Sequence, residues 1–252
     1  MTDQTILSRR LAQARGDHTV IEALPADLAP ADADAAYAIQ HEILTLSGAR
    51  IGGWKIGAKS PTGPIQGAPL PACDLHASGA RLSRRAFTPL GLELEIAFRF
   101  ARAFEARSEP YSDEEVHAAI TSMAAAIEIV ASRYAAWPEV DKLAQLADLQ
   151  NHGALVVSEW APYREDFPFV APVLRFDFEG TGIVKERPAN PAGDPRRLLP
   201  WLVNHSTQRR GIALTPDMIV TTGSYTGMFF PKTAGRASGR IAGLVSVDLT
   251  LL

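Results

Sequence analysis

The sequence predicts an α+β fold, and two observations predict it. Before about position 50 the apolar residues recur at helical spacing. After Gly48, short apolar or alternating runs separated by Gly and Pro dominate, which is typical of strands joined by turns. Strands and helices do not alternate regularly, which argues against a doubly wound parallel sheet. We expect 252 residues with 46% apolar side chains to form a single domain over 1–252, with a helical N-terminal part at 1–50 and a β-rich core at 51–252.

The N-terminal half supplies three predicted elements. One helix is predicted before Gly16, and a second from Asp32 to Gly48 with its apolar residues on one stripe. The stretch from Pro61 to Pro71 is rich in Pro and Gly and is predicted to be a long loop, because proline cannot donate to a ladder of strands.

Three further elements follow. Ser112 with Glu115 has the spacing of a capping box, and the apolar residues after it predict a helix that continues through Ile120 and Met123. Asp194 before Pro195 begins a helix that ends at Gly211. The tail from Ile241 to Leu252 is predicted to be a buried strand.

Composition excludes several classes of partner. The formal charge is −3 and the basic residues are scattered, so we expect no binding to nucleic acid. No apolar stretch approaches the ~20 residues of a membrane helix, and the residues from Met1 lack the order of a secretory signal. A single cysteine, Cys73, fits a reducing compartment. We expect a soluble cytoplasmic protein without a membrane partner.

Two carboxylates lie on one predicted strand. Leu92 to Phe100 alternate apolar side chains with Glu93 and Glu95, so both carboxylates project from one face about 7 Å apart. Taken alone, the pattern is more typical of a strand with one solvated face.

A third carboxylate makes a metal site the sharper hypothesis. Glu128 interrupts an apolar run that should be buried, where an unpaired carboxylate is costly. Three carboxylates suit a hard ion such as Mg²⁺ or Mn²⁺. The alternative is that Glu128 pairs with Arg133 or Lys55.

Other candidates stand at the ends of strands. Lys55, between Trp54 and Ile56, could be partly desolvated and act as an acid, a base or a carboxylate anchor, although a surface lysine would look similar. The run Thr222-Gly223-Ser224 could hold a carboxylate, or could be a plain turn. The histidines show no metal-ligand spacing, but His152 stands at a loop end of the kind that often lines sites.

Together these pieces resemble a known family. Gly53 to Gly57, Glu93-x-Glu95, Ala126 to Arg133 and Thr222 to Ser224 resemble, in order and spacing, the 2-keto-4-pentenoate hydratase and 2-oxo-dioate decarboxylase branch of the fumarylacetoacetate hydrolase superfamily. The resemblance implies a mixed β-roll or barrel core with an N-terminal helical part, assembled into homo-oligomers.

The resemblance also implies roles for individual residues. It makes Glu93, Glu95 and Glu128 the ligands of Mg²⁺ or Mn²⁺, and Lys55 and Asp74 catalytic. The residues that it places at the substrate are Trp54, Ser60, Asn151, Thr222, Gly223 and Ser224. Ala131 stands where the family often has Asp.

The implied activity is that of a lyase acting on a 2-oxo acid. A metal-dependent hydratase of this branch adds water to a 2-hydroxy-2,4-dienoate and gives a 4-hydroxy-2-oxo acid, a reaction common in the breakdown of aromatic compounds. The alternatives are a 2-oxo-dioate decarboxylase, then a hydrolase that cleaves a C–C bond in acylpyruvates, or a non-catalytic metal-binding member.

Overall fold

Two β-sheets and a group of N-terminal helices build the fold. The structure is a computed structural model that describes residues 3–252; Met1 and Thr2, with which the argument about a secretory signal begins, lie outside it. The helices are α1 (Asp3–Asp17), α2 (Ala33–Leu46), α3 (Asp113–His117), α4 (Lys142–Ala147) and α5 (Leu198–Asn204). The strands are β1 (Ile51–Gly57), β2 (Gln66–Pro71), β3 (Leu75–Ala77), β4 (Ala80–Leu82), β5 (Gly91–Phe100), β6 (Ile120–Val130), β7 (His152–Val157), β8 (Ala161–Pro162), β9 (Leu174–Phe178), β10 (Thr181–Gly182), β11 (Ile219–Ser224), β12 (Gly235–Ile241) and β13 (Val247–Leu251).

The larger sheet is mixed and carries most of the candidate residues. Its order is β2-β1-β11-β5-β6-β7-β3, with β8 paired to β6. The pairs β1–β11 and β3–β7 are parallel and the others are antiparallel. The second sheet has the order β10-β9-β12-β13-β4. The predicted α+β class, with helices first and a mixed sheet after them, is confirmed.

The larger sheet curls into a half-barrel. Strands β11 and β5 separate β1 from β6, which is about 14 Å in a flat sheet. Nevertheless the Lys55 ammonium on β1 lies 2.5 Å from a carboxylate oxygen of Glu128 on β6. The sheet therefore bends toward the face that carries Lys55, Glu93, Glu95 and Glu128, which we call the inner face.

The outer face is the main hydrophobic core. Alternation on β5 sends Leu92, Leu94 and Ile96 to that side, where they are fully buried against apolar residues of the second sheet. A second cluster joins α1, α2 and α4 and reaches Ala68 of β2. Within residues 3–252, no helix has the length and apolar content needed to cross a membrane.

The helix predicted from Ser112 ends sooner than expected. The capping box is present, since Ser112 and Glu115 bond each other's backbone N–H. However, α3 ends at His117, and Ile120 and Met123 belong to strand β6, so the prediction that the helix continues through them is wrong. From Met123 to Val130 the strand is buried on both faces of the sheet, and such strands lack the period of two that would distinguish them from a helix.

The predicted loop from Pro61 to Pro71 is also partly wrong. Gln66–Pro71 form strand β2, which pairs with β1 at the edge of the sheet. An edge strand has one side without a ladder, and proline is tolerated there.

The C-terminal elements lie close to the predictions. A short 3₁₀ turn, α5 and a π-helical segment fill 195–209, where one helix is predicted. The tail strand is shorter than predicted: β12 ends at Ile241, and β13 begins only at Val247 after a turn.

Candidate active site

Strand register brings the three glutamates together. Glu93 on β5 lies directly opposite Glu128 on β6, and Glu95 follows two residues along the same face. One carboxylate oxygen from each of the three lies within 4.8 Å of the others. Like charges directly opposite each other destabilise a sheet, so this face needs positive charge.

Lys55 supplies part of that charge. Its Nζ donates to Glu128 Oε1 at 2.5 Å and to the carbonyl oxygen of Gln150 at 3.1 Å. The Lys55 side chain is only 14% exposed and that of Glu128 only 1%. Of the two partners considered for Glu128, Lys55 is the one that pairs with it, because Arg133 pairs instead with Asp148.

The Gln150 carbonyl that accepts from Lys55 lies in a strained turn. Leu149, Gln150 and Asn151 have φ values of 45°, 53° and 57°, three successive non-glycine residues in the left-handed region. That conformation costs roughly 1–2 kcal/mol per residue and persists only where the surrounding contacts hold it. The backbone here is held at both ends, since Asn151 N donates to Asp148 O and Asn151 O accepts from Ala131 N.

His152, the next residue, also faces the carboxylates. Its Nδ1 lies 3.1 Å from Glu128 Oε1, and the side chain is fully buried. Burial lowers the pKa of His152, although the Glu128 carboxylate acts in the opposite direction.

The end of β11 contributes a backbone donor. One extra residue on β11 lies between the pairs Thr221–Ala97 and Ser224–Glu95, which is a β-bulge. Gly223, with φ of 91°, donates its backbone N–H to Glu95 Oε2 at 3.2 Å. The Ser224 hydroxyl interacts with Glu93.

Burial and mutual repulsion set the ionisation of the glutamates. Burial, followed by the Glu128 charge, raises the pKa of Glu93 to about 7. The same two causes, with Glu93 added, raise the pKa of Glu95 well above its usual value. For Glu128, burial also raises the pKa, but Lys55 and His152 outweigh it and the pKa lies below its usual value.

The residues present fit a divalent cation. Three ionised carboxylates and one ammonium leave a charge of −2, which one divalent cation would balance. Three of the buried polar atoms without a partner among residues 3–252 belong to residues of this site: Glu128 Oε2, His152 Nε2 and Thr221 Oγ1. Buried polar atoms are normally satisfied, so their grouping indicates a site that takes polar ligands.

Several predicted residues lie away from this group. Asp74 pairs with Arg15 of α1 at 2.7 Å, and its carboxylate is not among the three that converge. Trp54 alternates with Lys55 on β1, so its side chain lies in the main core at 2% exposure. Ser60 lies in the loop after β1, where its carbonyl accepts from Arg197.

Two other predicted residues bond to neighbouring segments rather than to the glutamates. The Thr222 hydroxyl donates to the Ile96 carbonyl, and the residue is fully buried. Asn151 donates to the Gln145 side chain at 3.4 Å, and its Oδ1 is buried without a partner in the described part of the chain.

The structure adds residues that the sequence argument did not select. Thr221, rather than Thr222, has its side chain on the inner face, because it pairs with Lys55 and Ala97 there. Alternation from the buried Ile219 could have indicated this. No local pattern could have revealed Arg15 of α1, because it lies 137 residues from His152 in the chain. Its guanidinium donates to the His152 carbonyl oxygen at a distance of 2.8 Å.

A cleft of about 600 Å³ lies next to the contact between Arg15 and the His152 carbonyl. It lies between α1, α2 and the segment around Ser132, and Arg15, Asp74, Arg133 and Gly153 are among the residues that line it. The three glutamates and Lys55 are not among its lining residues.

Known proteins resemble this chain in sequence and in fold. No family model matches the chain. The chain is 27% identical, over 97% of its length and 95% of the relative, to 2-keto-4-pentenoate hydratase of Burkholderia vietnamiensis. It is 28% identical to the enzyme of the same name from Paraburkholderia phymatum, over 96% and 94% of the two chains.

Solved structures agree on the fold. The 4-oxalocrotonate decarboxylase from Pseudomonas putida G7, complexed with magnesium and adipate, superposes with a TM-score of 0.85 at 19% identity over 99% of this chain and 97% of that chain. The chain has the fumarylacetoacetate hydrolase fold. Fumarylpyruvate hydrolase from Pseudomonas aeruginosa, in complex with Mn²⁺ and pyruvate, shares that fold more distantly, with a TM-score of 0.55 at 14% identity over 81% and 90% of the two chains. The resemblance to the hydratase and decarboxylase branch of the superfamily is confirmed.

Proposed function

We propose that this protein is a metal-dependent hydratase that adds water to a 2-hydroxy-2,4-dienoate and forms a 4-hydroxy-2-oxo acid. The observation that carries the proposal is the group of Glu93, Glu95 and Glu128 with Lys55 buried against it. The two relatives named 2-keto-4-pentenoate hydratase, each matched over nearly its whole length, support the choice of reaction.

In this proposal the three glutamates hold Mg²⁺ or Mn²⁺. Bound there, the cation supplies a Lewis acid that polarises the oxo group of a 2-oxo acid. The protein contributes a buried site on the inner face, in which hydrogen bonds and charges act more strongly than in water.

Lys55 handles protons in this proposal. Burial lowers the pKa of its ammonium, but the carboxylates of Glu128, Glu95 and Glu93 outweigh burial, so the pKa is raised and the group stays protonated near neutral pH. Conversion of the dienol to the conjugated oxo acid moves a proton from the 2-hydroxyl to C5, and addition of water then places a hydroxyl at C4 and a proton at C3. The Lys55 ammonium is in contact with the Glu128 carboxylate, so we assign these transfers to it.

An absorbance assay tests the proposal. Metal-free protein is mixed with 2-hydroxypenta-2,4-dienoate, with and without Mg²⁺ or Mn²⁺, and the product is identified by mass. We expect metal-dependent loss of the dienol absorbance and a product heavier by one water. Glu128→Gln should abolish the reaction, whereas Glu115→Gln, on the exposed start of α3, should not.

The opposite result would be unchanged absorbance at every metal concentration in a folded protein. Release of CO₂ from a 2-oxo-dioate under the same conditions would then identify a decarboxylase. Cleavage of an acylpyruvate would identify a hydrolase, and metal binding without turnover on any of these would leave a non-catalytic protein.

A further inference from the structure

The two oxygens of the Glu128 carboxylate have different surroundings. Oε1 accepts from Lys55 Nζ at 2.5 Å and lies 3.1 Å from His152 Nδ1. Oε2 is equally buried and has no partner within residues 3–252. The protein therefore holds one oxygen and leaves the other available to a ligand.

A β-bulge turns His152 toward Glu128. Leu155 on β7 lies opposite Glu128 on the inner face, so strict alternation would send His152 to the outer face. The register shifts between the pairs Ile129–Ala154 and Val130–His152, which leaves Gly153 as the extra residue. Bulges of this kind re-aim side chains beside functional sites.

Gly153 is required for that bulge. A Cβ at this position would lie 2.7 Å from the Ile129 carbonyl oxygen, 3.0 Å from Phe87 and 3.2 Å from the Ala131 side chain. The bulge therefore depends on a residue without a side chain, and Arg15 also stabilises it by donating to the His152 carbonyl.

We propose that His152 is a positioning residue for the metal site: its Nδ1–H holds Glu128 Oε1, and thereby points Oε2 at the cation. A carboxylate can only accept, so Nδ1 must carry the hydrogen of this bond. This inference rests on the proposed metal site. Partners that orient metal ligands in this way typically contribute 10- to 100-fold to metal affinity.

Substitutions that separate the two ring nitrogens test the inference. The amide nitrogen of Asn is as many bonds from Cα as Nδ1, and that of Gln corresponds to Nε2. We expect His152→Asn to keep most of the affinity for Mn²⁺. His152→Gln and His152→Leu should weaken it about 10- to 100-fold. Affinity is measured on the metal-free full chain by electron paramagnetic resonance of free Mn²⁺, with thermal unfolding as the check on folding.

A matched control is available in the same chain. His205 is also buried, stacked on Trp201 with ring centroids 4.6 Å apart, and has no part in the site. His205→Asn should leave Mn²⁺ affinity unchanged even if it lowers stability.

A measurement on the wild-type protein requires no folded variant. In ¹⁵N-histidine-labelled protein we expect His152 to carry hydrogen on Nδ1; an Nδ1 without hydrogen would overturn the inference. Equal Mn²⁺ affinity in wild type and His152→Leu would overturn it while leaving the metal site intact. Failure of the wild type to bind Mn²⁺ would overturn the metal site and, with it, this role for His152.

Discussion

Glu128 is in contact with both the positively and the negatively charged groups of the site. It lies opposite Glu93, accepts from Lys55 and His152, and is almost completely buried. Removing one partner of a buried ion pair is more damaging than replacing both, because it leaves a charge without compensation. In the proposed site, Lys55 and a divalent cation would both supply positive charge to the same carboxylates, and we expect each to reduce the need for the other.

Lys55→Met tests this relation. In the metal-free protein we expect a loss of about 3 kcal/mol in the free energy of unfolding, because three carboxylates lose their ammonium. Added Mn²⁺ should restore part of the loss, since a ligand that binds only the folded state stabilises it. Urea unfolding with and without Mn²⁺ measures both effects, and the hydratase assay should show a strongly reduced rate.

Lys59→Met is the matched control, because Lys59 is exposed in the loop after β1. It should change neither stability nor rate. If Lys55→Met bound Mn²⁺ more weakly than wild type, the two positive charges would not be interchangeable in this way. Unchanged kinetics would remove Lys55 from the reaction.

Two bulges adjust the elements that surround the glutamates. The bulge on β11 lets the Gly223 N–H reach Glu95, and the bulge on β7 brings His152 to Glu128. In both cases one extra residue changes which side chains face inward while the strand itself continues. The geometry of the site is thus set by irregularities in otherwise regular strands.

Gly153→Ala tests the β7 bulge. The added Cβ would meet the backbone of Ile129 at 2.7 Å, which a side-chain rotation cannot relieve. We expect a loss of roughly 1–3 kcal/mol in the free energy of unfolding from overpacking, measured by urea denaturation. Gly16→Ala is the control, since Gly16 lies in α1 with open space around its Cβ position and alanine favours helix. A stability loss no larger than that of the control would show that the bulge tolerates a side chain.

Sequence reasoning succeeded where the signal was local. The alternation around Glu93 and Glu95 predicted a strand, and the capping box at Ser112 predicted the start of α3. It failed where tertiary context decides. The start of β6 is predicted to be helix, because the strand is apolar on both faces and shows no period of two. Strand β2 is predicted to be loop, although it pairs with β1 despite its prolines. The bulges and the contact of Arg15 with His152 have no local signature, because each depends on chain segments far apart in sequence.

At the scale of the whole molecule, the N-terminal helices and the half-barrel depend on each other. Arg15 of α1 bonds both Asp74 and the His152 carbonyl, so a helix far from the glutamates in sequence supports the segment beside them. The helical cluster also includes α2, next to which His205 is buried against Tyr37 and Trp201.

His205 makes stability depend on pH. Burial, followed by the charges of Arg210 and Arg209, lowers its pKa to about 4 from an unfolded value near 6.5. The neutral ring therefore stabilises the fold above pH 6.5, and this contribution is lost as pH falls toward 4. Between pH 7 and pH 5 we expect wild type to lose about 2 kcal/mol more than His205→Phe, which retains a ring on Trp201. Urea unfolding at both pH values measures the difference; parallel losses in the two proteins would contradict it.

The half-barrel also separates two tasks by chain segment. Glu93, Glu95 and Glu128 all stand on the neighbouring strands β5 and β6, whereas Lys55 and Thr221 come from β1 and β11. A single strand pair thus carries the whole proposed ligand set, and Lys55, to which we assign the proton transfers, lies outside that pair. Sequence change on β1 can therefore alter the proton chemistry while the three proposed ligands stay in place on β5 and β6, so the same strand pair could serve more than one reaction within this fold.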